Sequence, residues 1–303
     1  MSSLVFLPAA LCWWAKIVII MFTEVQVLIL LTAVKLTHVI PSQDRNSVIA
    51  VTSLGNEVFV LRLEIQQPVE VYDASTFTLQ RNIAVPGRGS WSSGLAACAH
   101  YKCLYVSDGE HNSIHRAELS GSNAVKKWSV ASDPAGLSVN KEHNVVVACC
   151  LPDKIQEYTT RGDLVREISL KQAGVRHPLH AVQLSTGDYV VSEWESPGTV
   201  SVVGIDGQVA RRYCPSRSSD LGEMSDPSSL AVTKNDVILV ADGGNNRILL
   251  VNSSLSSARE LALPVDDGIQ SPWCLCLDES RGRLYVGEAS GSRRVLVFDG
   301  VRL

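Results

Sequence analysis

The stretch 239-LVADGGNNRILLVN-252 has three competing interpretations: a glycine loop that holds phosphate, a loop that binds a metal, or a turn between two strands. The pair Gly243-Gly244 separates two apolar runs, 237–241 and 248–251. Both runs are too short for a packed helix and rich in β-branched residues, so they predict a strand, a turn and a second strand. The choice among the three then depends on whether the pattern recurs along the chain.

The pattern recurs six times. An anchor residue follows a short apolar strand at intervals of 41 to 49 residues, at Arg62, Asp108, Cys149, Glu193, Asp242 and Glu288. A second mark, in the short strand before each anchor, repeats at intervals of 42 to 49 residues, at Val48, Gly94, Gly136, His180, Ser229 and Cys274. Two independent registers with one period of about 45 residues indicate a repeat architecture.

Each unit contains about four short strand patterns separated by turn residues, with no helical periodicity between units. This is typical of blades, and the sequence predicts an all-β fold, a six-bladed β-propeller of four-stranded antiparallel blades. The last unit supplies only three strands before the chain ends at Leu303. We therefore expect the segment 33-AVKLTHVI-40 to complete the last blade and close the ring. The predicted domains are a hydrophobic segment, 1–32, and the propeller, 33–303.

Composition argues against several function classes. The 27 basic and 31 acidic residues give a net charge of −4, and only 6% of the residues are aromatic, so an extended RNA-stacking surface is not favoured. The eight cysteines include no CxxC pair, which favours free thiols over a zinc site or a disulfide framework. No P-loop, GxGxxG or GxSxG motif is present.

Two stretches resemble a known family. The sequences 242-DGGNNRILLV-251 and 107-SDGEHNSIHRAEL-119 resemble the NHL repeat, in which an acidic residue and a small turn precede Asn-Arg-Ile. The chain is thus similar to the C-terminal propellers of tripartite-motif proteins. That resemblance implies a surface that binds proteins and, in some relatives, single-stranded RNA. Other six-bladed relatives, the amidating lyase and the lactonases, hold a metal in the central channel.

A channel metal would need several ligands from different inner strands. Among the inner-strand marks only His180 is a strong ligand, so we predict no metal and no cofactor. His111 and His115 have the spacing of a helical zinc motif, but residues four apart on a strand lie roughly 13 Å apart, and we attribute their spacing to chance. The triplet Arg161-Gly162-Asp163 is interpreted as a turn rather than an integrin-binding motif.

The predicted function is a noncatalytic protein-interaction scaffold. The start of each inner strand and the end of each second strand share one face of the disc, and exposed Trp and Arg are frequent in binding hot spots. The binding-face candidates are Arg88, Trp91, His111, His180, Trp194, Asn246, Arg247, Trp273, Arg293 and Arg294. Protein partners are favoured; the alternatives are a metal-dependent propeller enzyme of the lactonase or amidating-lyase type and an RNA-binding platform, which is disfavoured.

The amino end differs from the repeats. Residues 4–22 contain Lys16 as their only charge. This segment is long enough to span a bilayer, so residues 4–34 form a candidate membrane contact. The alternatives are a helix that lies against the disc and a non-native extension. Lys35 and Arg45 on the carboxyl side favour a cytoplasmic propeller, free or membrane-tethered.

Overall fold

The computed structural model describes residues 34–42, 44, 46–64, 68–89, 94–120, 124–130, 133–194, 197–215 and 219–303. The hydrophobic segment 1–32 and Trp91 therefore lie outside the described residues. Within these ranges, no helix is long and apolar enough to cross a membrane.

The described residues form six four-stranded antiparallel sheets, each arranged from an inner to an outer strand. Blade 1 contains β2 (Val48–Leu54), β3 (Glu57–Arg62), β4 (Val69–Asp73) and β5 (Leu79–Ile83). Blade 2 contains β6 (Leu95–Cys98), β7 (Cys103–Asp108), β8 (Ser113–Glu118) and β9 (Val125–Ser129). Blade 3 contains β10 (Pro134–Val139), β11 (Val145–Cys150), β12 (Asp153–Tyr158) and β13 (Leu164–Ser169).

The remaining blades follow the same order. Blade 4 contains β14 (Pro178–Gln183), β15 (Tyr189–Glu193), β16 (Thr199–Val203) and β17 (Val209–Tyr213). Blade 5 contains β18 (Pro227–Val232), β19 (Ile238–Asp242), a single 3-10 turn (Gly243–Asn245), β20 (Arg247–Val251) and β21 (Ala258–Glu260). Blade 6 contains β22 (Pro272–Asp278), β23 (Arg283–Glu288), β24 (Val295–Asp299) and β1 (Lys35–Ile40).

The ring is closed by the first strand. β1 pairs antiparallel with β24, with Lys35 opposite Asp299 and Ile40 opposite Val295, and becomes the outer strand of blade 6. Ile40 is only 1% exposed, so the strand is packed into the blade as well as hydrogen-bonded to it. The predicted closure of the last blade is confirmed.

The hydrophobic core lies between blades. In blade 1, Phe59 and Leu61 pack in one cluster with Leu104 and Val106 of blade 2, and all four are fully buried. A middle strand has a neighbouring blade on each side, so both of its faces are covered and its apolar residues run continuously instead of alternating. This explains why the second strand of each unit gave the clearest sequence signal.

The antiparallel order places two sets of loops together on each side of the disc. One side carries the loops before the inner strands and the loops after β3, β7, β11, β15, β19 and β23, and we call this side the top face. The opposite side is the bottom face. There Arg161, Gly162 and Asp163 form the turn between β12 and β13, in which Arg161 Nε lies 3.4 Å from Asp163 Oδ2, so the predicted turn is confirmed.

Candidate functional site

The repeat anchor is a buried side chain that ties the top-face loops together. In blade 5, Asp242 is fully buried, its Oδ1 accepts the Ser225 N–H at 2.7 Å, and its Oδ2 accepts Arg247 Nε at 2.7 Å. The carboxylate thus holds the loop before the inner strand and the first residue of the third strand at once. The glycine pair of the stretch 239–252 therefore belongs to a blade turn that the anchor stabilises.

Two other blades repeat this arrangement with glutamate. In blade 6, Glu288 accepts the Gln270 N–H and Arg294 Nε, both at 2.9 Å. In blade 4, Glu193 accepts the Arg176 N–H at 3.2 Å and the Thr199 hydroxyl at 2.5 Å. Burial raises the pKa of Glu288 even though its two partners favour the charged form. The anchor is therefore a desolvated carboxylate held by specific donors.

The two blades whose anchor is not acidic keep a contact between the second and third strands but form it with other chemical groups. In blade 1 the cation is the anchor, and Arg62 Nε lies 3.0 Å from Glu70 Oε2. In blade 3 the pair is neutral, with Cys149 Sγ 3.5 Å from Gln156 Oε1. In each of these blades the partner suits the anchor: a carboxylate lies against Arg62, and a neutral amide lies against Cys149.

Blade 2 differs because two histidines contact its anchor. Asp108 is fully buried; His111 Nδ1 lies 3.0 Å and His115 Nε2 lies 3.2 Å from its Oδ2. The expectation that these two histidines lie too far apart to share a partner was wrong: His111 lies in the turn after β7, where the strand rise does not apply, and its ring folds back onto the anchor. The two imidazoles and the carboxylate form the Asp108–His111–His115 cluster.

The electrostatics of this cluster fix its protonation. Burial opposes ionisation of Asp108, but the hydrogen bonds from His111 and His115 outweigh it and bring the pKa of the carboxyl below its usual value. Burial lowers the pKa of His115, which is 1% exposed. A carboxylate only accepts hydrogen bonds, so the ring nitrogens that face it, His111 Nδ1 and His115 Nε2, carry the protons. Lys127 Nζ, 3.9 Å from Asp108 Oδ2, adds a positive charge.

The central channel is a neutral cavity of about 250 Å³ lined by all six inner strands. None of the described residues that line it carries a carboxylate, a lysine or an arginine. His180 Nε2 donates to Leu137 O and its Nδ1 accepts the Leu230 N–H, both at 3.0 Å, and burial lowers the pKa of the ring. Both nitrogens are used to join neighbouring inner strands. In the described ranges, no group of three or more His, Cys, Asp or Glu side chains is arranged so that it could hold a metal ion.

The top-face arginines are less accessible than the sequence suggested. Arg88 is only 2% exposed and donates to Glu64 O, so the expectation that it is exposed was wrong. The guanidinium groups of Arg247 and Arg294 are held by their anchors and are largely covered. Asn246 is exposed in a left-handed turn, φ 56°, where only Gly, Asn or Asp fit readily.

The aromatic candidates lie in three different environments. Trp194 is 54% exposed, and its indole N–H donates to Asp226 Oδ1 at 2.9 Å. Trp273 is partly buried and lines the channel. The arginine candidate Arg293 is also partly buried, and its carbonyl accepts a hydrogen bond from the blade 1 anchor Arg62 at 3.2 Å. The side chain of His111 is 49% exposed.

Sequence reasoning missed exposed apolar residues on the top face, Leu63 among them, which is 50% exposed. Leu151, 64% exposed, lies on the top face between β11 and β12. An isolated leucine in a turn gives no signal that distinguishes it from a core residue, and only the fold shows that it faces solvent.

Comparisons agree on the architecture. Residues 224–249 match the NHL repeat, a range that runs from the loop before β18 into β20. No curated protein sequence matches the chain significantly. Among solved structures, a streptogramin B lyase is 12% identical with a TM-score of 0.64, covering 86% of this chain and 96% of its own. The virginiamycin B lyase of Staphylococcus aureus is 12% identical with a TM-score of 0.61, covering 88% of each chain.

A third similar structure is a WD40 propeller. The WD40 propeller domain of Doa1 is 15% identical with a TM-score of 0.62, covering 88% of this chain and 97% of its own. At these identities the likeness establishes the β-propeller fold and carries no function with it.

Proposed function

We propose that this propeller is a protein-interaction scaffold whose top face binds a partner protein, with no catalysis in the central channel. The observation that carries the proposal is Trp194: a large aromatic side chain, more than half exposed, held in one orientation by its hydrogen bond to Asp226. An exposed aromatic that is already ordered loses little entropy on binding, which suits an anchor residue of an interface.

The loops around Trp194 are held by their neighbours. The backbone N–H of Trp194 donates to His177 O at 3.1 Å, and the backbone N–H of His177 donates to Asp153 Oδ1 at 2.7 Å. This chain of contacts links the top-face loops of blades 3 and 4, the neighbouring blades that carry Leu151 and Trp194. A rigid surface with two exposed apolar side chains favours a protein partner.

The channel gives less support to the enzyme alternative. Hydrolases and lyases with a channel metal need converging carboxylates or imidazoles with free lone pairs. Here the described lining is uncharged, and the one imidazole has both nitrogens engaged. The RNA alternative needs cations without carboxylate partners. In the described ion pairs that include an anchor, the cations Arg62, Arg247 and Arg294 are all paired with carboxylates.

The test places a photo-crosslinking amino acid at Leu151 in the full chain and identifies the captured molecules from cells. Ile205 on the bottom face is the matched control, because it is 60% exposed and lies on the opposite side. We expect a protein captured at 151 and absent at 205. Binding of that protein to the Trp194→Ala variant should weaken by about 30-fold, as for a hot-spot residue worth about 2 kcal/mol.

Two outcomes would contradict the proposal. Equal capture at both positions would show that the top face is not selective. Capture of RNA instead of protein at 151, with a salt-dependent affinity, would favour the RNA-binding platform.

A further inference from the structure

Two exposed apolar side chains on the top face each have a carboxylate close to them. Trp194 is 54% exposed, and its indole N–H donates to Asp226 Oδ1 at 2.9 Å, so this carboxylate lies at the edge of the ring. Leu151 is 64% exposed and precedes Asp153 by two residues. Negative charge therefore accompanies the side chains that are open to a partner.

The carboxylates beside these side chains have no cation partner among the described residues. Asp226 uses Oδ1 for the indole, and no described donor contacts its Oδ2. Asp153 Oδ1 accepts the backbone N–H of His177 at 2.7 Å, which is a neutral donor. A third carboxylate, Asp133, lies close by, because its carbonyl accepts the Cys150 N–H at 3.1 Å. Burial raises the pKa of Asp133, since no described cation opposes the effect.

The charge of this region favours a cationic ligand. Outside the anchors and their partners, the described top-face loops of blades 3 to 5, with the first residue of β12, carry five carboxylates and two cations. The carboxylates are Asp133, Asp153, Asp220, Glu223 and Asp226, and the cations are Lys171 and Arg176. A basic segment therefore meets a complementary field, whereas nucleic acids and acidic peptides are repelled.

The carboxylate beside the indole is held in place by the anchor of blade 5. The Gly243 N–H donates to Asp226 O at 3.2 Å, and the neighbouring Ser225 N–H donates to Asp242 Oδ1 at 2.7 Å. Both the indole and the carboxylate are thus ordered before a partner binds, so little conformational entropy is lost on binding. A cation over the indole face would be attracted by the ring and by the carboxylate at its edge.

We propose that this part of the top face binds a basic segment of the partner protein, with an arginine side chain over the indole of Trp194. The guanidinium lies against the ring face and pairs with Asp226 Oδ2. A second basic residue of the same segment lies against Asp133 and Asp153, next to Leu151. The inference rests on the scaffold proposal and adds the chemistry of the partner.

The test selects peptides from a random dodecapeptide phage library on the immobilised full chain. Enriched peptides are synthesised with a fluorophore, and fluorescence anisotropy gives their Kd for wild type, Trp194→Ala, Asp226→Asn and Asp206→Asn. The asparagine at 226 keeps an acceptor for the indole N–H and suits the left-handed backbone, φ 54°, so it removes the charge alone. Asp206 is the matched control, an exposed carboxylate on the bottom face.

We expect the enriched peptides to contain arginine more often than the unselected library. Their Kd should rise by about 10-fold in Trp194→Ala and in Asp226→Asn and by less than about 2-fold in Asp206→Asn, as for a cation that contacts both groups. The Kd should also rise with salt concentration, because the pairing is electrostatic. Circular dichroism checks that each variant folds.

Three outcomes would overturn the inference. Peptides that need Trp194 but bind Asp226→Asn as tightly as wild type would show an apolar partner, and the scaffold proposal would stand. Arginine-rich peptides that bind Trp194→Ala unchanged would show that their site lies elsewhere. If no peptide is enriched, a basic segment alone does not bind this face, and the crosslinking at position 151 still decides the scaffold proposal separately.

Discussion

Arg62 and Glu70 in blade 1, like Asp242 and Arg247 in blade 5, form an ion pair between the second and third strands, with the signs of the two charges exchanged. In both blades the anchor on the second strand is nearly or fully buried, with Arg62 at 3% and Asp242 at 0% exposure. The repeat therefore retains a compensated pair rather than an acidic residue. A buried charge without its partner is costly, so each of these two anchors has a partner of opposite charge, although Glu70 lies two residues further along the third strand than the position that Arg247 occupies.

Reversal of one charge in blade 1 should destabilise the fold, and reversal of both should restore part of the loss. Arg62→Glu places two carboxylates together, and we expect the free energy of unfolding to fall by about 3 kcal/mol or more. Arg62→Glu combined with Glu70→Arg re-forms the pair. Recovery should be partial, because Arg62 also donates to the carbonyls of Pro41 and Arg293. Urea denaturation of the single and double variants measures both quantities.

One result of the double-mutant cycle would contradict this prediction. If the second substitution restores nothing, the carbonyl contacts alone hold Arg62, and the exchanged pair does not explain the departure of blade 1 from the repeat. The exposed pair Arg161 and Asp163 is the control, and its reversal should change stability by less than about 0.5 kcal/mol.

His180 should contribute to stability by joining inner strands of different blades. His180→Leu leaves the Leu137 carbonyl and the Leu230 N–H without their partner, and each unmatched buried group costs about 1–3 kcal/mol. We expect a loss of about 3 kcal/mol in urea denaturation. His180→Gln, which keeps one donor and one acceptor, should lose less. Equal stability of His180→Leu and wild type would mean that channel water replaces the imidazole.

The same residue should make stability depend on pH. Burial lowers the pKa of His180 in the folded protein, so below about pH 6.5, the usual pKa of histidine, the unfolded chain binds a proton that the folded protein does not. The stability present above that pH is therefore lost as the pH falls towards the folded pKa. Denaturation between pH 8 and 5 should show a steeper loss for wild type than for His180→Gln. Parallel curves would show that the ring titrates normally.

The sequence predicted the fold well and the site poorly, for physical reasons. The six-fold period was visible because middle strands such as Val145–Cys150 are buried on both faces and appear in the sequence as apolar runs. The closure by β1 was predicted because the last unit supplies only three strands. The meeting of His111 with Asp108 was hidden, since a turn that folds back is not described by strand spacing. The burial of Arg88 was also hidden, because its partner, the Glu64 carbonyl, lies 24 residues away on another loop.

Closure of the ring by β1 should be a large part of the stability of the propeller. Ile40 is 1% exposed and packs in one cluster with Val48, Tyr285 and Val297, which belong to blades 1 and 6. Ile40→Ala removes three carbons from that cluster, and we expect a loss of about 2–5 kcal/mol in urea denaturation together with faster cleavage of blade 6 in limited proteolysis. Ile205→Ala, at an exposed position, should change stability by less than about 0.5 kcal/mol. A small loss in Ile40→Ala with unchanged proteolysis would show that blades 1 and 6 hold together without the contribution of this strand.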